Sequence, residues 1–223
     1  MIPLLVITSI LFFLTSMFLI YYIFSGYKNT VLSIVLACLA FISGTFAVTG
    51  FWSSRIGKLK MRDKIINELK LTGSENVLDV GCGRGLLTMG IAKRLTGGKV
   101  VGLDHWKSTF EYSYTRKMAE ANIEAEGVGD KTEITDGDAV NLPFADNSFD
   151  IVTSSLALHH ITDSAKAISE MCRVVKPGGI VAIADLPVPL FRNQIVESGL
   201  KILTVKPLTR LFFIRMRLIV AVK

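Results

Sequence analysis

A doubly wound, mostly parallel α/β sheet behind a separate apolar segment is the fold class this sequence predicts, and three observations predict it. From Met61 onward, short apolar runs of strand length alternate with stripes at helical spacing, the pattern of successive β-α units. The first of those runs enters a cluster of glycines. Finally, residues 1–52 contain no Asp or Glu and one cation, Lys28, whereas the rest of the chain holds 24 of the 25 Lys and Arg and all 19 acidic residues.

The elements follow in order. Met61, Ile65, Ile66 and Leu69 share one helical face, closed by Thr72-Gly73. Asn76 to Val80 is a buried strand, and Leu87, Ile91 and Leu95 repeat at helical spacing before Gly97-Gly98. Lys99 to Leu103 reads as a strand, and about 111–126 as a helix. Strands follow at Lys131 to Thr135 and Phe149 to Thr153. Ile168, Met171, Cys172 and Val175 form a helical stripe that Pro177-Gly178-Gly179 is expected to stop, before a fifth strand at Ile180 to Ala184. Leu200 to Val205 and Met216 to Val222 read as a terminal hairpin that adds an antiparallel strand to the sheet.

The apolar segment divides in two. Ile2 to Phe24 is 23 residues without a charge, and Val31 to Trp52 another 22, where about 20 helical residues cross a bilayer core. A turn-rich stretch, 25–30, joins them, and Tyr21, Tyr22, Tyr27 and Trp52 lie at the ends as interfacial aromatics do. A cleaved signal peptide wants a basic start and a shorter apolar core. Two transmembrane helices in a hairpin are therefore expected, giving 1–52 as the spans, 53–72 as a basic linker with its helix, and 73–223 as the globular domain. Arg55, Lys58, Lys60, Arg62 and Lys64 crowd the exit of the second span. By the positive-inside rule they place the N-terminus and the domain on the cytoplasmic side of a multi-pass protein. The same cations suit anionic headgroups, and equally a plain stop-transfer flank.

A charged fraction of 20 % with a mean hydropathy of +0.47 excludes a disordered chain. Cys38, Cys82 and Cys172 form no CxxC pair, so neither a disulfide framework nor a metal site is expected. The net charge of +6 is concentrated beside the apolar segment, unlike a groove-binding stripe, so no nucleic-acid partner is expected.

The chemistry lies in Val77-Leu78-Asp79-Val80-Gly81-Cys82-Gly83-Arg84-Gly85. Glycines at alternate positions let the backbone turn tightly after a strand and let a ligand approach it. Taken alone the turn would also serve a dinucleotide. Against that, position 86 is Leu where the dinucleotide fingerprint has its third Gly. Asp79 would repel a pyrophosphate but suits an ammonium group, and Asp104 ends the second strand, where a carboxylate can take both ribose hydroxyls. A ligand with an amino acid at one end and a nucleoside at the other satisfies all three.

From about Met61 to the end the chain resembles a class I S-adenosylmethionine-dependent methyltransferase with a seven-stranded, Rossmann-like sheet. VLDVGCGRG is similar to that family's first motif, GLD at 102–104 to its ribose-binding acid, and GDA at 137–139 with LPFADNSFDIV to its adenine segment and fourth strand. MCRVVKPGG at 171–179 resembles its last helix and turn before the fifth strand, and SSLALHHI at 154–161 looks most like the quinone- and lipid-modifying branch. The resemblance implies S-adenosylmethionine as cofactor. It implies Asp79, Gly81, Cys82 and Gly83 around the methionine part, with Cys82 filling space, and Asp104 on the ribose, followed by His105. It implies Asp138 and Ala139 at the adenine and Ser154 beside the sulfonium.

Methyl transfer to a donor that is already activated needs positioning above all, and a base only where the acceptor must lose a proton. His105, His159 and His160 all fall at carboxyl ends of expected strands. His159 and His160 are the candidate bases, the alternative being packing or support of the cofactor. Leu211 to Ile214, between Arg210 and Arg215, is an apolar tip that fits either a lipid surface or the domain's own surface. The expected acceptor is a hydrophobic small molecule resident in the membrane: an isoprenoid quinone or phenol, or a phospholipid amine. A soluble metabolite or protein acceptor is the competing reading, and a non-catalytic binding module a third.

Overall fold

Runs such as Val77-Leu78 and Val100-Val101 are β-branched or apolar at successive positions, which suits strands covered on both faces. The computed structural model describes residues 2–26, 30–106, 116–186, 189–211 and 214–223. The helices are α1 (Ile2–Phe24), α2 (Thr30–Trp52), α3 (Lys58–Leu69), α4 (Leu86–Ala92), α5 (Arg116–Ala125), α6 (Ser164–Val174) and α7 (Pro189–Glu197). The strands are β1 (Asn76–Val80), β2 (Lys99–Asp104), β3 (Thr132–Asp136), β4 (Phe149–Ser155), β5 (Val175–Asp185), β6 (Lys201–Leu211) and β7 (Ile214–Val222). They form one seven-stranded sheet in the order β3-β2-β1-β4-β5-β7-β6. β1 to β5 pair in parallel, and β7 lies antiparallel on β5. The chain winds outward from β1 to β3, then returns to place β4 on the other side of β1. The carboxyl ends of β1 and β4 flank that switch point, where open α/β sheets bind ligands.

The chain divides into two units. One comprises Met1–Lys58 with Arg210–Phe213, the other Leu59–Thr209 with Ile214–Lys223. Within the first, α1 and α2 pack together with Gly44 against Phe12, where a Cβ would stand 2.9 Å from the ring. Their other faces leave Phe13, Phe18, Phe41 and Val48 exposed. A π-helical turn, Ser53–Gly57, carries α2 into α3, so that Val31–Leu69 is one helix of 39 residues. It is the one helix among the described residues that is long and apolar enough to cross a membrane. Ser9–Phe24, within α1, is a shorter apolar run. Tyr27 and Lys28, and the Phe212-Phe213 part of the apolar tip, lie outside the described residues.

In the second unit Met61, Ile65, Ile66 and Leu69 are all buried, the face their spacing predicts. The core proper gathers Leu78, Val80, Leu103, Val152, Ile168, Met171 and Ile183 around the sheet. One expectation fails. Pro177-Gly178-Gly179 does not stop α6, which ends at Val174, because β5 begins at Val175 and runs through the glycines. Val175 is buried and pairs with Phe149, the register shifts before Ile151, and Gly178 takes up the irregularity at φ 76°. Of the helix expected over 111–126, residues 116–125 are helical and 111–115 lie outside the described residues. Pro207 stands in β6, an edge strand, where its missing N–H costs no ladder bond.

Arg173, at the end of α6, pins the segment that leads into β4. It donates to Leu142 O, Phe144 O and Asp146, and pairs with Glu170, whose carboxylate also accepts from Leu142 N. Glu170 is buried, and the Arg173 guanidinium holds its carboxyl below the usual range. Arg173→Met leaves that buried carboxylate only the more distant Lys166 ammonium, 3.7 Å away, and two carbonyls without donors. It should cost about 2–4 kcal/mol of stability, read as a lower denaturant midpoint with an unchanged slope.

Candidate active site

β1 ends at Val80, and the next residues reverse direction over the edge of β2. Gly81 N and Cys82 N both donate to Leu103 O, at 2.8 and 3.1 Å. Gly81 adopts φ 74°, and a Cβ there would stand 2.3 Å from the Ala157 methyl, so only glycine fits. Gly83, at φ 55°, aims its N–H at Asp104 Oδ2, 2.9 Å away. Trp106 N donates to the other oxygen at 3.1 Å. The Asp104 carboxylate is therefore held by two backbone groups, with lone pairs left over and partial exposure. His105, beside it, is more exposed, its Nδ1 3.8 Å from Asp104 Oδ1. Trp106 Nε1 donates to Asp136 Oδ1 at the end of β3.

Asp79 faces inward instead. Thr88 of α4 donates to Oδ2 at 2.7 Å and Thr153 of β4 to Oδ1 at 3.0 Å, and the residue is 1 % exposed. Burial pushes its carboxyl up to about 6, with the nearby Asp104 charge adding to the rise and the two hydroxyls opposing it. Cys82 packs against Gly102, and burial drives its thiol far above the ordinary range, so it is no nucleophile. Asp138 makes a local turn, Oδ1 accepting from Val140 N, while Ala139 next to it is buried.

On the β4 side, Ser154 is 1 % exposed, and its Oγ is the buried side-chain oxygen without a partner among the described residues. An unsatisfied buried hydroxyl costs about 1–3 kcal/mol, so it marks a place where a ligand is wanted. Past it, Leu156 is left-handed at φ 56°, a conformation that bulky residues avoid and that clusters at functional sites. A 3₁₀ turn, Leu158–His160, follows. His159 Nδ1 lies 2.5 Å from Asp185 Oδ1, and the His160 ring lies against His159, tilted by 43° with centroids 3.9 Å apart.

The fold thus gathers Asp79, Gly81, Cys82, Gly83, Asp104 and His105 at the carboxyl ends of β1 and β2. Ser154, His159 and His160 follow at the end of β4, and Asp138 and Ala139 stand just beyond β3. Sequence reasoning missed three residues: Thr88 and Thr153, which hold Asp79, and Asp185, which holds His159. Asp185 had a signal, since it ends an apolar strand as Asp104 does.

A protein-family model described as "Methyltransferase domain" matches residues 78–183, from β1 through β5. Residues 78–183 are a methyltransferase domain. The methyltransferase domain is 33 % identical over 139 residues to demethylmenaquinone methyltransferase of Lactobacillus johnsonii, covering 62 % of this chain and 54 % of that protein. It is also 33 % identical over 129 residues to methyltransferase GfsG of Streptomyces halstedii, covering 58 % and 44 %. In fold it is similar to a SAM-dependent methyltransferase from Aquifex aeolicus, with a TM-score of 0.61, 22 % identity, and coverage of 76 % and 97 %. The chain spans about half the length of the curated relatives it matches.

Asp79 makes the unliganded domain sensitive to pH. Its carboxyl binds a proton more tightly folded, near 6, than unfolded, near 3.8, so its contribution to stability is fully present below about 4 and lost as pH rises through 6. That loss amounts to about 2–3 kcal/mol. Asp79→Asn keeps the shape and both threonine contacts without the charge. The variant should be more stable than the wild type at pH 7.5, with the advantage shrinking as pH falls and gone below about pH 4 in thermal melts without ligand.

Proposed function

We propose that this protein is a membrane-anchored methyltransferase that moves a methyl group from S-adenosylmethionine to an isoprenoid quinol or related hydrophobic phenol. The observation that carries this reading is the 33–34 % identity to demethylmenaquinone methyltransferases of several organisms. The long apolar helix Val31–Leu69 supports it, because an acceptor dissolved in lipid is best met by an enzyme held at the same surface. On this reading α1 and α2 are the two spans, 53–72 the basic linker and 73–223 the catalytic domain. The N-terminus and the domain share the cytoplasmic side, and the cations from Arg55 to Lys64 rest on anionic headgroups.

The residues present fit the cofactor. Asp104, fixed by Gly83 N and Trp106 N, has lone pairs for the two ribose hydroxyls. Asp138 accepts from the adenine amino group, Ala139 N donates to the ring, and His105 borders the ribose. Gly81, Cys82 and Gly83 offer a backbone free of large side chains to the methionine part, with the Asp79 charge behind them. The Ser154 hydroxyl, buried and unpartnered, gains a partner beside the sulfonium. When bound, the cofactor supplies a methyl group on positively charged sulfur, already activated. The protein's share is alignment of the acceptor and exclusion of water. A quinol must also lose a proton, and His159 takes it, with His160 alongside.

Membranes bearing the full-length protein, given methyl-labelled S-adenosylmethionine and a quinone extract under reducing conditions, test the reading. Label should enter the organic phase, with a product heavier by one methylene. Asp104→Ala should weaken cofactor binding by about 10–100-fold through the lost hydroxyl bonds and reduce that signal accordingly. Label confined to water-soluble products or to protein would overturn the lipid acceptor. Release of the protein by alkaline carbonate would overturn the anchor.

A further inference from the structure

We infer that Asp185 is the positioning residue of the site, holding His159 with its proton on Nδ1 so that Nε2 is the face turned to the acceptor. The inference rests on reading His159 as the base, and it adds the residue that makes an imidazole usable as one. Asp185 closes β5 and is 2 % exposed. Two backbone donors hold its carboxylate: Leu186 N at 2.7 Å on Oδ1 and His159 N at 3.3 Å on Oδ2. Its side-chain partner is the His159 ring, with Nδ1 2.5 Å from Oδ1.

An ionised carboxylate can only accept, so the proton between these atoms sits on Nδ1 of the neutral ring. The Nε2 lone pair is then available, and the His159 side chain remains 21 % exposed, enough to meet a substrate. The arrangement is the general logic of an oriented base, in which a buried acid fixes tautomer and ring direction and steadies the imidazolium once it forms. Among the described residues, the other titratable side chain placed against His159 is His160, its ring tilted at 43° with centroids 3.9 Å apart. A role limited to capping the 3₁₀ turn needs only the bond from His159 N; the ring contact is additional.

The device also narrows the acceptor class. A neutral amine attacks through its own lone pair and sheds its proton afterwards. A phenol or hydroquinone must give up its O–H proton at or before attack. That proton ends on His159 Nε2 and leaves to solvent. The electron pair left behind, on oxygen or on a conjugated ring carbon, forms the new bond to the methyl carbon as the carbon–sulfur bond breaks with its pair on sulfur; where a ring carbon attacks, its own hydrogen then leaves as a proton and the oxygen takes one back, restoring the hydroquinone.

The test uses full-length protein in detergent micelles, labelled with nitrogen-15 in its histidine rings. Long-range nitrogen–proton correlation spectra report the tautomer of each of the three histidines, and His160→Asn and His105→Asn assign them. Wild-type His159 should show the Nδ1–H form at pH 8, and Asp185→Asn should move it toward Nε2–H. In parallel, Asp185→Asn should lower kcat on a hydroquinone acceptor by about 100-fold or more, while the dissociation constant for S-adenosylmethionine stays within about threefold. Asp185→Glu should recover part of the loss. A wild-type ring in the Nε2–H form, or an Asp185→Asn enzyme with unchanged kcat, would overturn the inference while leaving the methyltransferase reading intact. Should wild-type protein methylate no quinol, the acceptor assignment fails instead, and the tautomer still decides the role of Asp185.

Discussion

The carboxylate of Asp79 ties together three elements that must meet for there to be a site. It hangs from β1, accepts from a threonine on α4 and from another on β4, and so fixes the strand, the helix after the glycine turn and the strand across the switch point. The glycine turn lies between the first two of these. Gly81 can lie against Ala157 because β4 and its following segment are held where Thr153 puts them. A buried carboxylate is expensive, and here two hydroxyls only partly offset its loss of water. On the proposed reading, the positively charged methionine part of the cofactor lies beside this carboxylate and offsets the rest of that cost.

The sheet was legible because its code is local. Runs such as Asn76 to Val80 and Lys99 to Leu103 are apolar, short and bounded by glycine or polar residues, and they fold as strands within a residue of where the pattern ends. The error at Pro177-Gly178-Gly179 has a tertiary cause. Locally that triplet breaks a helix, but Val175 finds a partner in Phe149 and a buried place, so the strand begins before the glycines and bends at Gly178. Of the apolar segment, length was legible and is seen in one continuous helix, Val31–Leu69.

The candidate site divides along the same line. Asp104 and the three glycines sit in one short motif or at a strand end, where spacing alone suggests proximity to a ligand. Asp185 and His159 are 26 residues apart and meet only because β4 and β5 are adjacent parallel strands with aligned carboxyl ends. Thr153 and Thr88 likewise look like ordinary strand and helix residues until the fold aims them at Asp79. Sequence reading singled out residues that share one motif or end a strand, and missed those that support another side chain.

β7 lies between β5 and β6, although it follows both in the chain. Until the β6–β7 hairpin docks, the parallel strands end at β5, whose Ile180 to Ala184 offer a bare row of amide and carbonyl groups. Such a row is a template for pairing with any other extended segment. Closing it requires contacts distant in sequence, the kind that form late in folding. The half-formed domain is thus vulnerable to self-association along one specific seam. An anchor that keeps neighbouring chains dispersed in a membrane plane while that seam closes would protect folding as well as bring the enzyme to its substrate.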